Sequence, residues 1–288
     1  MNKFSIVSDD RSILGESPIW DEINQRIYWV DIEAKKLHAW SYLENKKLCW
    51  DFDNRLCAIS LTNKKNILLC AFDKFFSYFD VENNVIKKLK NQVILPDQVR
   101  FNDGKTDGYG RFWCGTMSES SPCKPAGSIY IINRDLEINE VMTGIHISNS
   151  ISASLDNKYL YYADTYKKLI FKAGIHENKA NLKEPTIFVD NTNLKGFPDG
   201  SAVDSNGFLW NAEWNGGQIV QYDNTGKIVN KIIVPMNKPT CVAFGGLNMN
   251  KLFITSARDI NTNKDDISGG TICIETKTIG SYSNRFFI

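Results

Sequence analysis

Several signatures that would place a chain quickly are missing here. Of 288 residues, 34 are basic and 33 acidic, which leaves a formal charge of +1. Neither sign dominates, so no long-range field draws the chain to nucleic acid or to an anionic membrane. The densest basic stretch, Lys87-Lys88-Leu89-Lys90, reads as a solvated turn rather than a docking patch. No stretch reaches the roughly 18 apolar residues of a bilayer span. Residues 1–10 lack the apolar core of a secretory signal. The seven cysteines (Cys49, Cys57, Cys70, Cys114, Cys123, Cys241 and Cys273) are odd in number, scattered and without a C-x-x-C pair. That excludes a disulfide framework and a zinc ribbon, and fits small buried hydrophobes in a reducing compartment. The three histidines show neither H-x-H nor H-E-x-x-H spacing, and no G-x-S-x-G, Walker or dinucleotide fingerprint occurs. These absences predict a soluble, cytoplasmic protein without nucleic-acid or membrane partners, a monomer by default.

What is present is strand chemistry. Aromatics make up 12% of the chain, and apolar runs of about four to six residues alternate with Gly, Asn and Asp turns. Six segments repeat one pattern, a polar turn followed by aliphatic and bulky residues and then a small or acidic one. They are 26–31, 66–71, 111–116, 159–164, 208–213 and 251–256. Aligned on Tyr28, Leu68, Trp113, Tyr161, Trp210 and Phe253, they recur 40 to 49 residues apart. A period of that length with strand composition matches one four-stranded blade per repeat. The expectation is an all-β, six-bladed β-propeller, residues 1–288 forming a single domain. A pair of immunoglobulin-like or jelly-roll sandwiches is the distant alternative.

If each signature is the second strand of a blade, the residues 11 to 13 positions before it start the innermost strand. Glu16, Arg100, Asn102, Asn149 and Asp199 stand there, with Arg55 in the second blade and Thr240 in the sixth. Equivalent positions of different blades form a ring, so these residues converge at one end of the axis. Glu16, Asn149 and Asp199 supply oxygen donors suited to a hard divalent cation, with positions left open for water and substrate. Taken one at a time, each residue reads better as a turn cap; the common register carries the functional reading.

At these residues the sequence resembles the senescence-marker-protein/gluconolactonase/regucalcin family of six-bladed propellers. The matching blocks are Leu14-Gly15-Glu16-Ser17-Pro18, Arg100-Phe101-Asn102-Asp103-Gly104-Lys105, Gly115-Thr116-Met117, Ile147-Ser148-Asn149, Pro198-Asp199-Gly200 and Phe244-Gly245-Gly246, with Thr255-Ser256-Ala257-Arg258 near the end. The resemblance implies a metal-dependent sugar lactonase, with one divalent ion (Ca, Mn, Zn, Mg or Fe(II)) on Glu16, Asn149 and Asp199 and substrate contacts from Arg100 and Asn102. The expected reaction is hydrolysis of an aldonolactone, a small-molecule sugar lactone, to the aldonic acid, with Asp199 activating water. The alternative is a calcium-binding regulatory propeller without lactonase activity, and a third reading is a non-enzymatic propeller that binds a protein. The chain departs from the family at three places. Ser120 stands where a substrate-contacting carboxylate is found in animal members, with Glu119 beside it; Ser150 replaces a glycine; Ala153-Ser154 replaces a Trp-Ser pair.

Overall fold

Short runs of β-branched and aromatic residues closed by Asn, Asp and Gly turns form 24 strands among the described residues of the computed structural model, 3–177, 179–259 and 267–288. Strand β1 (Phe4–Ser8) stands apart from its sequence neighbours. The first blade follows as β2 (Gly15–Asp21), β3 (Arg26–Asp31), β4 (Lys36–Ser41) and β5 (Lys46–Asp51). The second is β6 (Leu56–Leu61), β7 (Ile67–Phe72), β8 (Phe76–Asp80) and β9 (Val85–Lys88). The third is β10 (Val99–Thr106), β11 (Phe112–Ser118), β12 (Gly127–Ile132) and β13 (Ile138–Ile145). Then come β14 (Ser148–Ala153), β15 (Tyr159–Asp164), β16 (Leu169–Gly174) and β17 (Thr186–Asp190). The fifth blade is β18 (Phe197–Val203), β19 (Leu209–Trp214), β20 (Gln218–Tyr222) and β21 (Ile228–Ile233). The sixth takes β22 (Pro239–Gly245), β23 (Lys251–Ser256) and β24 (Thr271–Glu275) from the end of the chain and β1 from its beginning.

Each sheet is an antiparallel meander, and β2, β6, β10, β14, β18 and β22 pack side by side around the axis, with β22 returning to β2. The chain is therefore an all-β, six-bladed β-propeller, and the six repeated signatures are its second strands. The basic stretch at Lys87–Lys90 is part of the exposed edge strand β9 and the residues after it, with Leu89 turned inward.

The core lies between blades, where large rings meet. Trp20 stacks on Phe253 at 5.6 Å between the first and sixth blades, and Phe76 meets Phe101 at 4.2 Å between the second and third. Two indoles are tied down by an aspartate six residues earlier: Trp113 Nε1 donates to Asp107 and Trp210 Nε1 to Asp204, each at 2.8 Å. This satisfies the one polar atom of a fully buried ring. At the far end of the axis the last residues cross beneath the ring. Phe286 is buried there, and Ser281, Asn284 and Arg285 bond the carbonyls of Val203, Thr106 and Thr62.

Candidate functional site

The six inner strands share an irregularity that determines which side chains crowd one end of the axis. In every blade the inner strand carries one residue more than its partner over the same stretch. The break falls between Glu16 and Ile19, Leu56 and Ala58, Phe101 and Gly104, Asn149 and Ser152, Pro198 and Ser201, and Pro239 and Val242. An extra residue kinks a strand and redirects its side chains. Asn102 and Asp199 lie within their bulges, while Glu16 and Asn149 stand immediately before theirs. Two bulges contain a residue with left-handed backbone, Ser17 at φ 48° and Ser150 at φ 56°. Ser150 occupies the position where the resembled family has glycine, which meets that requirement without a Cβ penalty. Its hydroxyl compensates by donating to the Asp199 carbonyl at 2.5 Å while accepting from Asn211 Nδ2 at 2.8 Å.

A hydrogen-bonded chain links three blades. Arg100 Nη1 donates to Asn102 Oδ1 at 2.7 Å, and Asn102 Nδ2 donates to Asn149 Oδ1 at 2.8 Å. Asn149 Nδ2 donates to Thr165 Oγ1 at 2.9 Å, and that hydroxyl donates to the carbonyl of Pro198 at 2.7 Å. Asp199 follows directly. All five residues expected from the sequence are buried and lie at this end of the axis.

The Glu16 and Asp199 carboxyls lie close enough at this end of the axis to act on each other directly. Burial, with the nearby Asp103 carboxylate adding to it, pushes Glu16 up to about 8; the Ser17 N–H and the Arg100 guanidinium oppose the shift. Asp199 is likewise raised well above the ordinary carboxylate value, by burial first and then by the charges of Glu16 and Asp103. Asp103 is itself raised by burial, and its carboxylate accepts the Ile151 N–H at 2.8 Å. Two buried carboxyls in contact cannot both ionise cheaply, so the pair holds a proton near neutrality.

This arrangement corrects the expectation of a resident divalent ion on Glu16, Asn149 and Asp199. Among the described residues no group of three or more His, Cys, Asp or Glu side chains comes together to hold a metal. The physical reason lies in how the three donors are used. The two carboxyls act on each other, and the Asn149 oxygen already accepts from Asn102.

Other residues at this end lie outside the five expected to form the site. Glu119 forms a two-point ion pair with Arg55, at 2.6 and 2.9 Å, and its Oε1 lies 3.3 Å from Arg100 Nε. Ser120 turns into its own loop, against Ser118 and the carbonyl of Pro122. Asn211, from the second strand of the fifth blade, donates to the Asp199 carbonyl and so fixes the backbone that carries that carboxyl. His146 is held by Asp164 at 3.0 Å and stacks on the exposed Tyr166.

Fold and site together define a six-bladed propeller whose inner strands converge a carboxyl pair, two amides and a guanidinium at one end of the axis. The SMP-30/Gluconolactonase/LRE-like region matches residues 14–258, and the chain belongs to that family. It is 31% identical to the L-arabinolactonase of Azospirillum brasilense over 98% of this chain and 95% of that one. It is 30% identical to the regucalcin of Sus scrofa, covering 89% and 87%. The crystal structure of a calcium-binding protein, regucalcin, from Agrobacterium tumefaciens superimposes with a TM-score of 0.91 at 26% identity, covering 100% of this chain and 98% of that one. Among the described residues no helix is long and apolar enough to cross a membrane.

Proposed function

We propose that the protein hydrolyses a sugar lactone, an aldonolactone, to the open-chain aldonic acid. The observation that carries this reading is the buried, closely spaced carboxyl pair of Glu16 and Asp199, flanked by Arg100 and Asn102. With one member ionised and the other protonated, such a pair suits both halves of the reaction. The ionised member takes a proton from water as its oxygen adds to the lactone carbonyl. The protonated member gives its proton to the ring oxygen as the acyl C–O bond breaks. One proton enters the pair and one leaves, so the pair is restored. Arg100 and Asn102 orient the sugar and stabilise charge on the carbonyl oxygen. The lactonases among the relatives support the same substrate class.

The test is proton release from a panel of aldonolactones by the protein as isolated. Asp199→Asn should lower kcat by about 100-fold or more while leaving the urea midpoint near the parent value. Near-normal turnover in that variant would remove Asp199 from its role. Turnover abolished by a chelator and restored by a divalent ion would overturn the account in which the carboxyl pair moves the protons by itself.

A second reading, a regulatory propeller without lactonase activity, is favoured by the regucalcins among the relatives. No turnover above the spontaneous rate across the whole panel would select it.

A further inference from the structure

Away from the carboxyl pair, at the end of the propeller where Arg285 reaches Asp21, a cavity of about 420 Å³ opens between the first and second blades. Arg26, the first residue of β3, lines it. The Asp21 carboxylate lies directly across the ladder from Arg26, but Arg285 takes it at 3.0 Å and Asn24 at 2.6 Å. Among the described residues no carboxylate pairs with the Arg26 guanidinium. The Tyr28 hydroxyl lies near it and, being neutral, leaves its charge uncompensated. Arg26 Nε is buried without an acceptor among the described residues, whereas the two terminal nitrogens of this half-buried side chain are open to solvent.

The remaining wall has an apolar and a polar side. Leu48, Trp50 and Val81 form the apolar side. The Trp50 ring is wedged by Tyr28 at 6.4 Å and Phe79 at 6.1 Å yet stays half-buried, and its indole N–H has no partner among the described residues. On the polar side, Asn24 Nδ2 donates to Asn66 Oδ1 at 3.3 Å, and Asn66 Nδ2 donates to Glu82 at 2.9 Å. Those bonds join the two blades along the cavity. Lys65, next to Asn66, is exposed and in no ion pair among the described residues. The lining therefore sets two cations, Arg26 and Lys65, against the single carboxylate of Glu82, which already accepts a bond.

A guanidinium set into a crevice gives up water and here receives no counter-ion in return. A carboxylate or phosphate would take both of its open nitrogens in a two-point bond. The volume is that of a small-molecule site rather than of a bare ion. An indole edge beside a leucine and a valine suits a flat apolar body next to that charge.

We propose that this crevice binds a small organic anion, a carboxylate or phosphate held by Arg26 and Lys65 and joined to a flat ring that lies against Trp50 and Leu48. The site is at the opposite end of the axis from Glu16 and Asp199 and does not rest on the lactonase reading.

The test follows the indole N–H signals of isotope-labelled protein by NMR, the Trp50 signal being the one lost in Trp50→Phe. Phenyl phosphate and benzoate should move that signal and saturate with Kd on the order of 1 mM or below, as for other ligands of so few atoms. Binding of either supports the proposal, and the tighter of the two identifies the head group. Inorganic phosphate and D-gluconate lack the ring and benzyl alcohol lacks the charge, so each should bind at least about tenfold more weakly. Arg26→Met should weaken phenyl phosphate by about tenfold or more, with partial recovery in Arg26→Lys, whose ammonium cannot form the two-point bond. Lys65→Met, at an exposed position that the fold does not use, should weaken it by roughly threefold. Urea midpoints near the parent value would show that both variants fold. A Trp50 signal unmoved by either aryl anion, benzyl alcohol or D-gluconate bound as tightly as phenyl phosphate, or full affinity in both Arg26→Met and Lys65→Met would each overturn the proposal.

Discussion

Glu213, on the second strand of the fifth blade, is fully buried between Asn191 Nδ2 at 2.8 Å and the Tyr222 hydroxyl at 3.2 Å, and its second oxygen has no partner among the described residues. Burial pushes this carboxyl up to about 7, against the opposing pull of Tyr222, Lys231, Lys168 and Asn191. The folded state therefore holds the proton more tightly than the unfolded chain does. Between the ordinary glutamate value and about 7 the native state carries the extra proton, so stability falls as pH rises through that window. The contribution is complete below the unfolded value and is lost as pH passes the folded one. Glu213→Gln should remove up to about 3 kcal/mol of this dependence, at 1.36 kcal/mol per pKa unit. Urea midpoints at pH 5 and pH 8 check it. If parent and variant lose stability in parallel over that range, Glu213 does not titrate as described.

At the scale of strands, the bulges tie one blade to the next. Gly200 lies in the β18 bulge, where a Cβ would come within 2.2 Å of Cys241 Sγ and 2.9 Å of Cys241 Cα, in the bulge of β22. Because a main-chain atom is among the obstacles, a rotamer change of Cys241 cannot make room. Gly200→Ala should force the fifth and sixth blades apart, destabilise the fold by about 1–3 kcal/mol and lower turnover by displacing Asp199. Parent-like stability and activity would mean that the two strands slide freely. The sequence could not reveal this contact, nor the bulges themselves, because both depend on which residue faces which across two strands. The second strands, by contrast, were legible. An indole with an aspartate six residues before it, at Trp113 and Trp210, is a local pattern with a local cause. The convergence of Glu16, Arg100, Asn102, Asn149 and Asp199 could also be read from register. What they do for one another could not, and the metal expectation failed there: residue type shows an oxygen donor, not that its partner is another donor. Arg55 and Glu119 lie 64 positions apart in the chain, and no local pattern pairs them.

For the whole molecule, the requirement is that a ring of six sheets be closed, and both ends of the chain take part. Strand β1 completes the sixth blade by pairing with β24. The last residues then lace the far end of the axis. Gly280 N–H donates to Met249 in the sixth blade, Ser281 reaches the fifth, Asn284 the third, and Phe286 N–H bonds Leu61 in the second. Arg285 returns to the first blade through Asp21 at 3.0 Å and Glu22 at 2.9 Å. A cavity of about 70 Å³, lined in part by Lys105, Ser281 and Asn284, lies between this lacing and the inner strands. Phe286 is completely buried, packed into the hydrophobic cluster of the first three blades. Phe286→Ala should therefore cost about 3–5 kcal/mol, the usual penalty for a large ring removed from a packed core. Because the ring lies at the end of the axis away from Glu16 and Asp199, the loss should appear in the urea midpoint while kcat at low denaturant stays near the parent value. A loss of unfolding free energy below about 0.5 kcal/mol, the scale of an ordinary surface substitution, would show that the lacing decorates a ring already closed by β1.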